Sequence, residues 1–253
     1  MPCQLRPQSR FCAGWWPKEK REAYAELRWS CARCGSTVRM RSIVHLVSMA
    51  VFGRSIALPE FPRRKDVRGV GLSDWDEYAR RLAERLDYTN TYYHQAPRLD
   101  ITRPEPHLDA SCDFIISTDV FEHVEPPVSR AFEGARRMLK PGGTLVLTVP
   151  YAIETDQTLE HYPDLHEWSL VQREDGGYTV RNRRRDGQVE EFHSPVFHGG
   201  PGTTLEMRLF SRDSLLRDLR AAGFREVRVA DEDVPEFGIV WPVPWSLPVV
   251  ARA

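Results

Sequence analysis

The most regular pattern of hydrophobic and polar positions lies between residues 112 and 151. Residues 113–118 are apolar and β-branched without alternation, which is typical of a strand covered on both faces. Apolar positions then recur at helical spacing over 128–139, and a Pro-Gly-Gly sequence ends that helix. Residues 144–149 resume the strand pattern. The segment predicts a parallel strand–helix–strand unit in which the loop 119–123 follows a strand and is therefore a functional candidate.

Similar patterns predict the remaining elements. Residues 88–94 fit either a strand or an ordered loop. After Tyr151 the alternation of strand and helix stops for about fifty residues, as expected of an inserted lid or binding element. The other predicted helices and strands are helices at 39–52, 75–86 and 213–222, and strands at 55–58, 67–72, 99–102, 225–230 and 247–251.

Net charge and hydropathy argue against two classes of binding partner, nucleic acids and membranes. A net charge of −1 with 28% charged residues provides no basic field for nucleic acid. The basic run 181–185 leads into Asp186-Gly187, so we interpret it as a solvated hairpin tip, with an anionic ligand contact as the alternative. No apolar run reaches the ~18 residues of a membrane span, and the N-terminus has no apolar signal core. We expect a cytoplasmic protein without a membrane partner.

The cysteines predict a separate module at residues 1–38. Clustering at one end of the chain suits a local metal site better than a disulfide framework. Cys31 and Cys34 have the spacing of a zinc knuckle, because two thiolates in one tight turn can face one ion. Cys3 and Cys12 would complete a structural zinc site, and a metal-free remnant is the alternative. Cys112 is expected only to pack in the core.

One further arrangement points to a nucleotide. The predicted strand 67–72 runs into Ser73 and Asp74, and a helix pattern begins at Trp75. A carboxylate at the end of a strand can accept hydrogen bonds from both hydroxyls of a ribose. Asp74 is therefore the predicted ribose-binding residue.

Several motifs resemble those of class I S-adenosylmethionine-dependent methyltransferases. CDFIISTDVFEHV is similar to their fourth strand and its loop, and RMLKPGGTLVLTVPY to the helix, turn and fifth strand that follow. GVGLSDWDEYAR resembles the second strand with its ribose-binding acid, and LDIT lies where the family places an acid near the adenine. FSRDSLLRDLRAAGFREVRV matches the late helix and strand. The resemblance covers roughly residues 53–151 and 205–253.

This resemblance implies a fold, a cofactor and a set of residues. The fold would be α/β, with a Rossmann-like, doubly wound, mostly parallel seven-stranded sheet, a small N-terminal cysteine module, and a lid at about 152–208 inserted in a domain spanning 39–253. The cofactor would be S-adenosylmethionine. Its expected contacts are Pro59, Glu60, Gly71, Ser73, Asp74, Trp75, Asp100, Ile101, Thr118 and Asp119.

The chain departs from the family at the first strand, which normally ends in a glycine-rich loop that approaches the cofactor. The preferred alignment makes 55–58 that strand, although it has no glycine, and leaves Asp74 to hold the ribose. An alternative alignment makes Gly69-Val70-Gly71 the degenerate loop, and puts Tyr92-Tyr93-His94 where the ribose acid belongs.

Methyl transfer from a sulfonium requires alignment of donor and acceptor, and an oxygen or carbon acceptor also needs a base. His123, on the loop after the predicted fourth strand, is the candidate base. The alternative is that it caps a helix or packs beside the cofactor. Tyr151, His161 and His198 are further candidate catalytic residues.

A polar and aromatic set in the insert suits an acceptor pocket. Its predicted substrate-binding members are His166, Trp168, Glu206 and Arg208. Two alternatives are a metal bound by His161 and His166, and a purely structural lid.

The sequence thus predicts methyl transfer from S-adenosylmethionine to a small molecule, such as a sugar or secondary metabolite. A homodimer is the candidate assembly. The alternative, motivated by the missing glycine loop, is a catalytically inactive methyltransferase-like binding or assembly subunit.

Overall fold

The computed structural model describes residues 5–6, 30–31 and 34–253, and only the backbone of residues 5, 6 and 30. The first elements are two paired strands and a helix: β1 (Leu5–Arg6), β2 (Ser30–Cys31) and α1 (Val38–Phe52). Thr37 caps α1 by accepting a hydrogen bond from the backbone N–H of Met40, and Gly53 ends the helix in a left-handed conformation.

The central elements follow in the order β3 (Arg64–Leu72), α2 (Asp76–Arg85), β4 (Leu86–Thr91), β5 (Cys112–Thr118), α3 (Ser129–Met138) and β6 (Leu139–Thr148). The last elements before the end of the chain are α4 (Arg212–Ala221), β15 (Val227–Val229) and β16 (Val249–Arg252).

The insert between β6 and α4 consists of short strands. They are β7 (Tyr151–Ala152), β8 (Leu159–Glu160), β9 (Glu167–Gln172), β10 (Tyr178–Arg183), β11 (Val189–His193), β12 (Phe197–His198), β13 (Thr204–Leu205) and β14 (Arg208–Ser211). β9, β10 and β11 form an antiparallel sheet, with Asp186-Gly187 at the predicted hairpin tip. The insert has its own hydrophobic cluster around Tyr162, Val180 and Phe197.

The described part of the chain contains one large mixed sheet with the strand order β15-β16-β6-β5-β3-β4. The pairs β4–β3, β3–β5 and β5–β6 are parallel, while β16 and β15 run antiparallel. Successive residues of β5 face opposite sides, because Phe114 and Ile116 pack with α1 and α2, whereas Ile115 packs with α3 and α4. This doubly wound α/β arrangement confirms the predicted Rossmann-like fold.

Two predicted strands are wrong, so the sheet has six strands where seven were expected. Residues 55–58 form no strand, and Leu58–Glu60 is a 3₁₀ turn with Pro59 in its first positions, where a proline suits a turn. Residues 99–102 form a turn, in which the Asp100 carboxylate accepts hydrogen bonds from the backbone and hydroxyl of Thr102.

The same part of the chain contains no helix long and apolar enough to cross a bilayer.

Gly134 allows the turn at 100–103 to pack directly on the backbone of α3. A methyl group at this position would collide with the carbonyl oxygen of Ile101. We therefore expect Gly134→Ala to lower the free energy of unfolding by about 1–3 kcal/mol, although alanine favours helix. Exposed Glu133→Ala on the same helix should change it by less than about 0.5 kcal/mol in urea denaturation. Equal stability of the two variants would show that the turn does not pack there.

Candidate active site

The order of strands in the sheet identifies where a ligand binds. β3 and β5 are neighbours, but the chain continues from β3 to β4 on one side and from β5 to β6 on the other. Such a reversal opens a crevice outside the carboxyl ends of the two strands. The crevice is bordered by residues 72–74 after β3 and 118–119 after β5.

This geometry corrects the preferred alignment of the sequence. β3 lies beside β5 at the reversal, which is the place of the first strand in a doubly wound sheet. Gly69-Val70-Gly71 is therefore the degenerate glycine segment, as in the alternative alignment. Both glycines lie within β3, so the turn that follows it at Ser73 and Asp74 contains no glycine.

The backbone at both borders of the crevice adopts conformations that favour glycine. Ser73 has φ = 56° and Asp119 has φ = 53°. Such conformations cost free energy and recur at binding sites. Ser73 donates its backbone N–H to Thr91 at the end of β4, and Asp119 donates to Thr148 at the end of β6. Each strained residue is therefore held by a hydrogen bond to a neighbouring strand. The crevice suits a cofactor, because the backbone at its borders can approach a ligand closely.

Asp74 is turned into the protein. It is 3% exposed, and its carboxyl group accepts hydrogen bonds from the hydroxyls of Tyr88 and, at 3.0 Å, Thr118. Burial raises its pKa to about 7. The predicted ribose contact of Asp74 is therefore at odds with the structure, because both carboxyl oxygens already have protein partners. Thr118 likewise directs its hydroxyl to Asp74 and not to the crevice.

Gly71 leaves room for this buried hydrogen bond. A methyl group at Gly71 would collide with the Tyr88 hydroxyl and with Oδ2 of Asp74. The glycine thus serves the packing of β3 against β4.

The other predicted cofactor residues lie in three places. Asp100 and buried Ile101 lie in the turn packed against α3. Trp75 precedes α2 and packs near Gly35. Pro59 and Glu60 are exposed, and the Pro59 carbonyl accepts a hydrogen bond from Arg85 at the far end of α2.

A polar cluster built around buried Glu122 lies after β5. The 3₁₀ turn Phe121–His123 directs Glu122 and His123 inward, and His198 comes from β12 of the insert. The ligand atoms of Glu122, His123 and His198 lie within 4.8 Å of one another. We refer to these three residues as the Glu-His-His cluster.

The segment 205–208 holds the insert against this turn. The Met207 N–H donates to the Glu122 carbonyl at 2.8 Å, and Nδ1 of His123 bonds to the Leu205 carbonyl at 2.6 Å. Buried Arg208 donates to the carbonyls of Phe121 and Val124 at 2.8 and 2.7 Å and pairs with Glu160 at 2.7 Å. The predicted substrate role of Arg208 is thus replaced by a structural one, since its guanidinium is 0% exposed.

Burial dominates the electrostatics of the cluster. It raises the pKa of Glu122 well above the usual range, and the negative charge of Asp119 adds to this effect. The pKa of Glu206 rises to about 7 for the same two reasons. Burial also lowers the pKa of His123 to about 4. Asp119 itself forms a salt bridge with Arg39 at 2.8 Å.

Four other predicted site residues lie outside the cluster. Tyr151 is 1% exposed, and its hydroxyl accepts a hydrogen bond from the Leu247 N–H, so it belongs to the core and is not free for catalysis. His161 is partly buried beside Tyr162, on the other side of the segment 205–208. His166 is exposed. The Trp168 indole donates to Glu125 at 2.9 Å, which ties the insert to the chain after β5.

Only part of the cysteine module is described. Cys3 and Cys12 lie outside the described residues. Cys31 is buried and Cys34 exposed, in a turn where Gly35 has φ = 69° and donates its N–H to the Cys31 carbonyl.

The sequence interpretation missed Glu122, Arg39 and Tyr88. Glu122 was not singled out, because an acid next to a predicted base resembles an ordinary polar loop residue. Its signal was an acid enclosed by Val120, Phe121 and Val124, a pattern that predicts burial.

Comparison with known proteins identifies a family that matches most of the chain. The sequence pattern of a family described as a methyltransferase domain matches residues 53–229. Because this match covers well over half of the chain, the chain belongs to that methyltransferase family. With its doubly wound sheet, it is a class I S-adenosylmethionine-dependent methyltransferase.

Solved structures of low sequence identity are similar to it. The S-adenosylmethionine-bound amino pentose methyltransferase CalS10 of Micromonospora echinaspora is 16% identical, with 94% of this chain and 97% of that chain covered and a TM-score of 0.47. An S-adenosylmethionine-dependent methyltransferase of Clostridium acetobutylicum is 11% identical, with 93% and 98% covered and a TM-score of 0.48. The 1,6-didemethyltoxoflavin-N1-methyltransferase of Burkholderia thailandensis is 15% identical, with 98% and 94% covered and a TM-score of 0.40.

The pKa of Asp74 makes a prediction about stability. Because that pKa rises from 3.8 to about 7 on folding, the folded protein binds this proton more tightly than the unfolded chain. The contribution of Asp74 to the free energy of unfolding therefore falls as pH rises from about 4 to about 7, by up to about 1.4 kcal/mol per pH unit. Asp74→Asn removes this contribution. Urea denaturation between pH 4.5 and 8 should show wild type losing stability relative to the variant, and parallel curves would contradict the buried, protonated carboxyl group.

Proposed function

We propose that this methyltransferase transfers the methyl group of S-adenosylmethionine to a small polar molecule, such as a sugar or secondary metabolite. The observation that supports this acceptor is the position of the Glu-His-His cluster, which begins three residues beyond the cofactor crevice at Asp119. Histidine and carboxyl groups can exchange hydrogen bonds with hydroxyl groups, so they suit an acceptor rich in them.

The residues on the cofactor side of the crevice are proposed from their position. S-adenosylmethionine, when bound, supplies a methyl group that is transferred by in-line displacement at a sulfonium. The strained backbone at Ser73 and Asp119 would approach the cofactor closely, and Asp100 and Ile101 would contact its adenosine.

On the acceptor side, the insert both orients the small molecule and limits access of water. His123, His198 and Glu206 supply polar groups there, and β12–β14 close over the turn after β5. A closed, preorganised site aligns the acceptor with the methyl group and lowers the entropic cost of the transition state.

Binding of the cofactor can be tested without knowing the acceptor. Calorimetry of the full chain with S-adenosylmethionine should show one site. Asp100→Ala should weaken binding about tenfold, because a hydrogen bond to a charged group contributes roughly 1.5–3 kcal/mol. Asp109→Ala is the matched control, since Asp109 lies in the same connection but pairs with exposed Arg137 at 2.7 Å. Absence of wild-type binding at millimolar cofactor would overturn the proposed function.

We also propose a structural zinc ion held by Cys3, Cys12, Cys31 and Cys34. The left-handed Gly35 and the hydrogen bond from its N–H to Cys31 give the tight turn that two thiolate ligands in a knuckle require.

Purified Cys31→Ser protein should contain one equivalent of zinc less than the wild type. Cys112→Ser is the control, because Cys112 is buried in the core of the central sheet. Metal content is measured by atomic absorption together with thermal unfolding, and an unchanged zinc content in Cys31→Ser would exclude the site.

A further inference from the structure

The geometry of the Glu-His-His cluster is unusual for side chains that merely pack. Nε2 of His123 lies 3.7 Å from Oε1 of Glu122, too far for a hydrogen bond. The rings of His123 and His198 are 5.3 Å apart and nearly perpendicular, at 89°. The ligand atoms of the three side chains therefore surround a common point.

The orientation of His123 is determined by the backbone. Its Nδ1 lies 2.6 Å from the Leu205 carbonyl, which can only accept, so Nδ1 carries the hydrogen. Nε2 then presents its lone pair toward Glu122. A ring that donates one N–H to a backbone carbonyl and directs the other nitrogen inward is the usual arrangement of a metal-binding histidine.

Glu122 provides the independent observation. It is 1% exposed, and neither carboxyl oxygen has a hydrogen-bond partner among the described residues. A buried polar group without a partner is costly, and a carboxylate most of all. The nearby cations are engaged elsewhere, because Arg39 pairs with Asp119 and Arg208 with Glu160. A bound cation would satisfy Glu122.

We propose that Glu122, His123 through Nε2, and one ring nitrogen of His198 bind a divalent transition-metal ion. Two imidazoles and one carboxylate are a donor set for Zn²⁺, Mn²⁺, Fe²⁺ or Co²⁺, whereas Mg²⁺ and Ca²⁺ prefer oxygen ligands alone. Three protein ligands leave further coordination positions for a substrate.

This inference rests on the proposed function and specifies its acceptor as a hydroxyl group. A hydroxyl oxygen bound to the ion loses its proton more readily, and the proton passes to water. The oxygen then forms a bond to the methyl carbon as the carbon–sulfur bond breaks, and the cofactor leaves as a thioether. In this role His123 is a metal ligand and does not act as the general base.

The test measures metal binding directly. Full-length protein carrying Cys31→Ser, to disable the proposed cysteine site, is freed of metal with a chelator and titrated with Co²⁺ by calorimetry. One equivalent should bind, and His198→Ala and Glu122→Gln should each weaken binding at least tenfold. His166→Ala is the control, because His166 is an exposed histidine of the same insert and lies outside the cluster.

The variants are also compared by thermal unfolding. Glu122→Gln removes a buried acid at constant volume, so it should remain folded. Failure of the parent protein to bind Co²⁺, or equal affinity in Glu122→Gln, His198→Ala and His166→Ala, would overturn the metal site. S-adenosylmethionine binding is measured on the same samples. Cofactor binding without Co²⁺ binding refutes the metal site alone, and Co²⁺ binding without cofactor binding refutes the methyl transfer.

Discussion

The site depends on the hydrogen bonds and the ion pair of the buried Arg208 guanidinium. The guanidinium donates to the carbonyls of Phe121 and Val124, at the two ends of the turn after β5, and pairs with Glu160 of the insert. A buried charge is stable only when its hydrogen-bonding groups are largely satisfied, so this contact has a narrowly defined geometry. It fixes the segment 205–208 beside the turn, and thereby brings groups from opposite parts of the sequence into one enclosure.

The enclosure has an excess of acidic groups. Glu122 and Glu206 are both buried, and Asp119 lies close enough to raise the pKa of each. Their ionised forms are penalised by burial and by one another. A folded protein tolerates such a group of acids when they are protonated or when a cation neutralises their charge. The two states would present different groups to an acceptor.

The central strand–helix–strand unit was predictable because its signals are local. The unbroken apolar run of β5, the helical spacing of α3 and the Pro-Gly-Gly sequence each depend on neighbouring residues. Strand order is not local. The preferred alignment is wrong because the amphipathic helix after Asp74, which would also follow a ribose-binding acid, is a local signal, whereas only pairing with β5 identifies β3 as the strand at the reversal.

The candidate site was predictable to a similar extent. His123 could be found because it follows a well-defined strand, and His198 and Glu206 because polar residues stood out in the insert. The burial of Glu122 and the inward direction of Asp74 depend on a 3₁₀ turn and on two hydroxyl groups from other strands. No periodic pattern in the sequence predicts these contacts.

The proposed donor and acceptor sides meet within one short stretch, because residues 119–123 border both. Asp119 borders the proposed cofactor crevice with a strained backbone, and three positions later the 3₁₀ turn directs Glu122 into the proposed acceptor enclosure. The central sheet determines the position of Asp119, whereas docking of the insert determines that of Glu122. The insert can therefore change in sequence to suit a different acceptor while the crevice stays intact, provided that a buried cation at position 208 continues to hold the two together.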